Sequence, residues 1–171
     1  MKPYTGRCWR FGDDLASDEM IAPNHVFEYD PKVLRSHLLE GARPEFSQQA
    51  VSGDILVAGR NFATGSIHSH PFLALKDMNV ALICQSVSRG PFRLAIYIGI
   101  PILIAPASVI ESLKDADQLE VDFSSGRIRN NTSGQVHNVD PVSPFLLEIV
   151  TSGGGLAYAR SITGPEGVPN A

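Results

Sequence analysis

The segment from Gly53 to His70, GDILVAGRNFATGSIHSH, limits what this chain can fold into more than any other stretch of it. Its first part, Asp54–Ala58, is a short unbroken apolar run next to a glycine, the pattern of a strand buried on both faces. Gly59–Thr64 follows as a loop, and Ser66 is placed to open a helix through about Met78, with Phe72, Leu73, Leu75 and Met78 as its buried stripe. A strand that hands over to a helix calls for a parallel neighbour, because the helix carries the chain back across the sheet. The free N–H groups expected after Ser66 would make that helix start a place for a carboxylate, phosphate or oxyanion.

The same step recurs downstream. Val80–Cys84 reads as a strand, Ser86–Gly90 as a loop, Phe92–Ile98 as a helix and Ile102–Ile104 as the next strand. Upstream, a first strand at Arg7–Phe11 runs into the polar turn Gly12–Asp18. Pro31 opens a short helix over Lys32–Leu39 with Val33, Leu34, Leu38 and Leu39 on one face, ended by Gly41. Leu119–Phe123 and Arg127–Asn130 alternate about Ser124–Gly126 as a hairpin. Pro144–Val150 reads as a final helix, capped by Ser143 and stopped at Gly153–Gly155. The sum is an α/β domain with a mixed sheet, and right-handed crossovers put Gly59–Thr64 and Ser86–Gly90 along one edge of it. A length of 171 residues fits one such domain over residues 1–163, with the Gly/Pro-rich tail Gly164–Ala171 expected to be disordered.

Composition removes several classes of function. A net charge of −4 without any run of like charges gives no electrostatic grip on nucleic acid or an anionic membrane. The start, MKPYTGRCWRF, lacks a signal peptide's apolar core, and no apolar run reaches the roughly 18 residues of a membrane span. A bacterial or archaeal cytoplasm is the expected location. Cys8 and Cys84 lie far apart in apolar runs and read as plain buried thiols; a cysteine-ligated cluster within this chain would need more of them. His25 and His37 are not expected to bind metal, since no Cys, Asp or Glu joins them at metal spacing.

Several ordered blocks carry a family resemblance: GRCWRFGDDLASDEMI, SHLLEG, GDILVAGRNFATGSIHSH, SVSRGPFRLAIYIGIPIL and LEVDFSSGRIRN. From Gly6 to about Gly155 the chain resembles the small subunits of 3-isopropylmalate dehydratase and the matching swivelling domain of aconitase and homoaconitase. The resemblance implies a single β/β/α swivelling domain, with a mixed sheet or partly closed barrel and flanking helices. It implies a hydro-lyase subunit acting on a 2-hydroxy acid such as an isopropylmalate-like substrate. The [4Fe–4S] cluster would belong to a separate large subunit, none being bound by this chain, and its open iron would act as Lewis acid on the substrate. Ser66 stands where the family places an alkoxide base, which helix N–H groups and a guanidinium can stabilise. Asp18 closes the family's Asp-rich turn, here Ser17–Asp18, as a catalytic-loop carboxylate or as a turn residue bonding its own backbone. Arg60, Asn61, Thr64, Gly65, Ile67 and Arg89 are the candidate substrate-binding residues. Arg60 reads equally well as a solvent-facing side chain.

The second block departs from the family pattern Asn-Phe-Gly-Cys-Gly-Ser-Ser-Arg-Glu-His. Ala63–Thr64 replaces Gly-Cys, Ile67 the second serine, His68 the arginine and Ser69 the glutamate, while His70 is kept and reads as a packed histidine. Where dehydratases carry a Tyr-Leu-Arg-like specificity loop, this chain has His25–Val26–Phe27. Arginine holds carboxylates bidentately and is always charged, whereas a histidine offers fewer donors and is largely neutral near pH 7 unless a neighbour favours its proton. The altered site suits a substrate with one fewer charged group, with His68 in the arginine's role and Arg89 or Arg93 as compensating cations. The rival expectation is a binding or assembly module that keeps the fold without the chemistry.

Overall fold

The apolar runs pair as strands in a computed structural model, which describes residues 1–163; the tail expected at Gly164–Ala171 lies outside them. The strands are β1 (Tyr4–Arg10), β2 (Ile55–Ala58), β3 (Ala81–Cys84), β4 (Ile102–Ile104), β5 (Gln118–Asp122), β6 (Arg127–Asn130) and β7 (Val136–Asn138). They form one mixed sheet in the order β4-β3-β2-β1-β5-β6-β7, curled into a half-barrel. β1 to β4 run parallel, and β1 pairs antiparallel with β5, from which the β5–β6–β7 meander continues. The helices are α1 (Ser17–Met20), α2 (Pro31–His37), α3 (Pro44–Gln49), α4 (His70–Asp77), α5 (Arg89–Ile98), α6 (Ala107–Ser112), α7 (Pro144–Thr151) and α8 (Gly155–Thr163), with a 3-10 turn at Pro23–His25.

Alternation along each central strand divides the interior into two cores. Trp9, Leu56, Leu82 and Ile102 face a layer built from α2, α3, α4, α5 and α7 through Leu34, Phe46, Phe72, Leu75, Ala95 and Val150. Cys8, Ile55, Val57, Ile83 and Leu103 face the other way, under Val109 and Ile110 of α6 and the hairpin residues Leu119, Val121 and Ile128. Each fully buried Leu or Ile contributes about 1.5–3 kcal/mol of transfer free energy, which is why β2 and β3 have no polar residue to spare. A sheet covered on both faces explains the continuous ILVA and ALIC runs.

Asp54 fixes how β1 meets β2. Its carboxylate is buried and accepts from the Arg7 backbone N–H (2.8 Å), the Trp9 indole N–H (2.8 Å) and the Val51 backbone N–H (3.0 Å). Gly6 lies so close that an added Cβ would sit 2.6 Å from the Asp54 carboxylate and 2.7 Å from the Gly53 carbonyl. Trp9 is held from its other side by the Arg7 and Arg43 guanidinium groups, 4.0 and 4.7 Å from its ring centroid. Arg43 in turn pairs with Asp115 (2.7 and 2.8 Å), and that hydrogen-bonded pairing lowers the Asp115 carboxyl to about 2.

Six of the seven described strands and four of the eight described helices answer to expected ones, while β7, α1, α3, α6 and α8 are not expected from the sequence; the expected helices differ in four respects. The helix expected from Ser66 begins at His70 instead. Pro71 explains this: inside a helix starting at Ser66 it would lack the N–H owed to the Ile67 carbonyl, whereas in the first turn no partner is missed. α2 stops at His37 rather than Leu39, because the Leu39 N–H donates to the Met20 carbonyl (2.7 Å) with Leu39 left-handed at φ 60°. Leu38 and Leu39 are still buried, but Val33 faces solvent and leaves the expected stripe. Gly153–Gly155 stops α7 as expected, yet α7 is not the last helix, since α8 starts from the same glycines. The Ser143 hydroxyl caps α7 by accepting from the Leu146 N–H (3.4 Å).

Removing the Asp54 carboxylate would orphan a buried indole N–H and two backbone N–H groups at once. Asp54→Ala is expected to cost about 3 kcal/mol or more and Asp54→Asn clearly less, read as unfolding midpoints in urea.

Candidate functional site

Three loops leave the C-terminal ends of β1, β2 and β3 and are stitched together there. The Gly59 N–H donates to the Gly12 carbonyl (2.9 Å) and the Asp14 N–H to the Arg60 carbonyl (2.7 Å). Gly59 has no room for a side chain, since a Cβ would fall 2.0 Å from an Asp13 carboxylate oxygen. The Phe62 N–H donates to the Ser86 carbonyl (3.0 Å) and the Asn61 N–H to the Ser86 hydroxyl (3.0 Å), so Gly59–Thr64 and Ser86–Gly90 share one edge as expected. The third loop, after β1, joins them where the Ser17 N–H donates to the Thr64 carbonyl (2.9 Å) and the Ser17 hydroxyl donates to the Ser66 carbonyl. Ser17 is buried, which marks it as the peg that holds Thr64–Ser66 in place.

The backbone here is bent unusually hard. Asn61, Ala63 and Gly65 all take left-handed φ values of 55°, 54° and 90°. Asn tolerates that region and glycine is free in it, but for Ala63 it costs roughly 1–2 kcal/mol. With the helix starting only at His70, Gly65–Ser69 is an open loop without a fan of free helix N–H groups. The expected anion site after Ser66 is therefore not formed by a helix start.

Ser66 stands exposed on this loop, and among the described residues its hydroxyl has no hydrogen-bond partner. Ile67 is 61% exposed and lies over the start of α5, so close that a Cβ on Gly90 would meet its Cδ1 at 2.4 Å. Arg89 is the first residue of α5, next in sequence to Gly90, while Arg93 is exposed one turn further on. His68 turns inwards. Its Nε2 lies 3.2 Å from an Asp18 carboxylate oxygen and its Nδ1 lies 3.3 Å from Nδ1 of His70. His70 is buried and carries the Tyr29 ring against it, centroids 4.9 Å apart. Asp18, His68 and His70 thus form a continuous polar line, and Asp18 also borders a hollow of about 240 Å³ with Glu19, Ala22, Glu40, Gly41 and Ala42.

Arg60 and Asn61 are not gathered with this group. Arg60 pairs with Asp13 (Nε to carboxylate 2.9 Å) with most of its side chain in solvent, and the Asn61 amide donates to Asp14 (2.7 Å). Both act as braces for the β1 turn, and the Arg60 hydrogen bonds hold the Asp13 carboxyl below its ordinary range. Thr64 contributes its carbonyl to Ser17 and is exposed. Cys8 and Cys84 are free thiols pushed up to about 12 by burial, and, lying on opposite faces of the sheet, they cannot converge on one cluster. Ser17 enters the sequence reading only as part of the Ser17–Asp18 turn, without its role as a peg, and Tyr29, distant in sequence, does not enter it. The premise that no acidic group joins His25 and His37 does not hold, for Glu40 contacts both.

Burial, and then the nearby His68, push the His70 imidazole below its ordinary value of 6.5. The unfolded chain therefore takes up a proton there at a pH where the folded chain does not. The stability this contributes is present above 6.5 and is lost as pH falls from 6.5 through the depressed folded value. Unfolding midpoints are expected to drop between pH 7 and pH 5, and the His70→Gln variant to lose the part of that slope due to this ring.

No family model matches the sequence. Among individual proteins, it is 41% identical over 158 residues to the 3-isopropylmalate dehydratase small subunit of Methanosarcina mazei, covering 92% of this chain and 96% of that one. It is 41% identical over 150 residues to the methanogen homoaconitase small subunit of Methanothermobacter thermautotrophicus, covering 87% and 86%. Its fold superposes on the crystal structure of a 3-isopropylmalate dehydratase from Methanocaldococcus jannaschii with a TM-score of 0.87 and 29% identity, over 94% of this chain and 95% of that one.

Proposed function

The chain belongs to the family of 3-isopropylmalate dehydratase and homoaconitase small subunits, and on that footing we propose that Ser66 is the base of the reaction this family performs. It is the small subunit of an aconitase-type hydro-lyase and works with a large subunit. Residues 1–163 act as one swivelling body that closes its strand-end edge over the partner. The [4Fe–4S] cluster belongs to that partner, where it supplies a Lewis acid, and the two buried thiols of this chain take no part. The complex works in the cytoplasm, without nucleic acid or membrane; no described helix is long and apolar enough to cross one.

The observation that carries the reading is the Ser17 peg. By engaging both Thr64 and Ser66 it holds the Ser66 hydroxyl outward, at the edge of the β1, β2 and β3 ends, with His68 two residues away. Ser66 as alkoxide takes the proton from the carbon next to a substrate carboxylate. His68 serves as the cation that family members supply with arginine. As an imidazolium it donates from Nε2 to Asp18 and from Nδ1 to His70. His70 stays neutral because burial disfavours its charged form, leaving Nδ1 free to accept. Asp18 orients and compensates the charge. Arg89 at the start of α5 supplies the carboxylate grip, while Ile67 and the strongly exposed Phe27 (92%) offer apolar surface. The substrate that suits these groups is a 2-hydroxy acid with an apolar branch, an isopropylmalate-like molecule.

In the reconstituted two-subunit enzyme, Ser66→Ala is expected to lower kcat by roughly a thousandfold or more with KM within a few-fold. Near-normal turnover would reject the base assignment. His68→Gln, which removes the cation, is expected to lower kcat roughly tenfold or more, and His68→Arg, which restores it, to keep kcat within a few-fold. Equal turnover by wild type, His68→Arg and His68→Gln would remove His68 from the mechanism.

A further inference from the structure

Away from Ser66, two histidines and a glutamate converge on one point. His25 closes the 3-10 turn, His37 ends α2, and Glu40 follows three residues later in the turn towards α3. Nε2 of His25 lies 3.2 Å from one Glu40 oxygen and Nδ1 of His37 lies 2.8 Å from the other. All three ligand atoms fall within 4.8 Å of one another. The two imidazoles stack face to face, centroids 3.8 Å apart and planes 23° apart. Stacked histidines that both engage one carboxylate cannot both be cationic without repulsion at contact distance. A single divalent cation would satisfy all three groups together.

The geometry points to a transition-metal site at His25, His37 and Glu40, for a borderline cation of the Zn²⁺ class. Two imidazole nitrogens and one carboxylate oxygen are the donor set that such ions prefer, whereas Ca²⁺ and Mg²⁺ select oxygen. A zinc ion about 2.0–2.2 Å from each donor needs the donors roughly 3–3.5 Å apart, close to the two spacings of 2.8 and 3.2 Å already present. The remaining adjustment is for the rings to fan out of their stack, because a metal lies in the plane of each imidazole that binds it. The side chains are 18%, 32% and 40% exposed, so the ion has an entry path and water can complete its shell.

Bound metal would tie the 3-10 turn to the end of α2. The segment it restrains runs on through Val26 and Phe27 to Tyr29, whose ring lies on His70, and Glu40 itself borders the hollow next to Asp18. The clip thus borders the hollow next to Asp18 and the segment that leads to Tyr29 on His70, while standing outside the Asp18–His68 pair. It does not depend on the catalytic reading.

Equilibrium dialysis of the full chain against Zn²⁺ tests the site, with His25→Gln, His37→Gln and Glu40→Gln as variants. Wild type is expected to hold one ion per chain with a dissociation constant of about a micromolar or tighter. Each variant should bind at least roughly tenfold more weakly, since loss of a ligand costs no less than loss of the groups behind it. Zn²⁺ should raise the Tm of wild type and leave that of Glu40→Gln unmoved. Imidazole NMR on wild type makes the result independent of variant folding: Zn²⁺ should shift His25 and His37 and spare His68, His70 and His137. No saturable micromolar binding by wild type, wild-type affinity in any folded variant, or ring shifts confined to the other histidines would each overturn the site.

Discussion

The buried Asp54 carboxylate is the interaction on which the rest of the molecule hangs. It sits where β2 begins and receives N–H groups from the middle of β1, so it sets the register Cys8–Ile55, Trp9–Leu56, Arg10–Val57. That register decides how far each strand projects at its other end. There, the Asp13–Asp18 turn and the Gly59–Thr64 loop must meet within hydrogen-bonding distance. A slip by one residue would exchange the two faces of β1 and turn Trp9 out of its core. A buried carboxylate is tolerated here because every N–H it faces is a donor, and its removal would leave those donors unpaired in a dry interior. Gly6 belongs to the same constraint, as the residue without which the two strands could not approach so closely.

How legible this was from the sequence depended on the kind of signal. Unbroken apolar runs such as ILVA and ALIC give away strands buried on both faces, and right-handed crossover then puts their following loops on one edge. α3 carries a single buried residue, Phe46, and so has no stripe to read. β7, Val136–Asn138, is held mainly by pairing with β6 rather than by burial, and α6 follows Pro106 after only a short apolar strand. The helix expected from Ser66 differs for another reason. A serine before a hydrophobic stripe is a sound helix start, but Pro71 forbids the helix from reaching back that far, and Ser66–Ser69 form an open loop that follows the left-handed residues Asn61, Ala63 and Gly65. The tertiary partners Ser17 and Tyr29 left no local trace, and His37-x-x-Glu40 was a local trace that went unread.

The loop geometry also explains which substitutions from the family pattern can be absorbed. Ala63 keeps the left-handed turn of the glycine it replaces, paying strain for a methyl group that is itself buried. Ile67 spreads over Gly90, where the absence of a Cβ is what admits it. His68 reaches Asp18 and His70 together, a span that a histidine bridges through its two nitrogens. These changes fall within one loop. An apolar residue covers the start of α5, and the arginine of the family pattern gives way to an imidazole set between Asp18 and His70.

An exposed serine is a poor base on its own, because water solvates its hydroxyl and does nothing to favour the alkoxide over it. The proposed chemistry needs the Ser66 edge to be covered, so that the imidazolium acts in a low-dielectric setting where a charge a few ångströms away weighs several times more than in water. The surface around it is suited to being covered: Tyr29 and Ile67 are large, exposed and lie against His70 and the start of α5 respectively, and Phe27 stands exposed two residues before Tyr29. On a monomer such apolar exposure is a cost in water. In a subunit that closes over a partner it becomes part of the interface, and the same closure that buries it also dries the base. On the proposed chemistry, closure and catalysis would be one event: the small subunit would contribute a strand edge and a hydroxyl, and turnover would wait on the partner that removes the water around it.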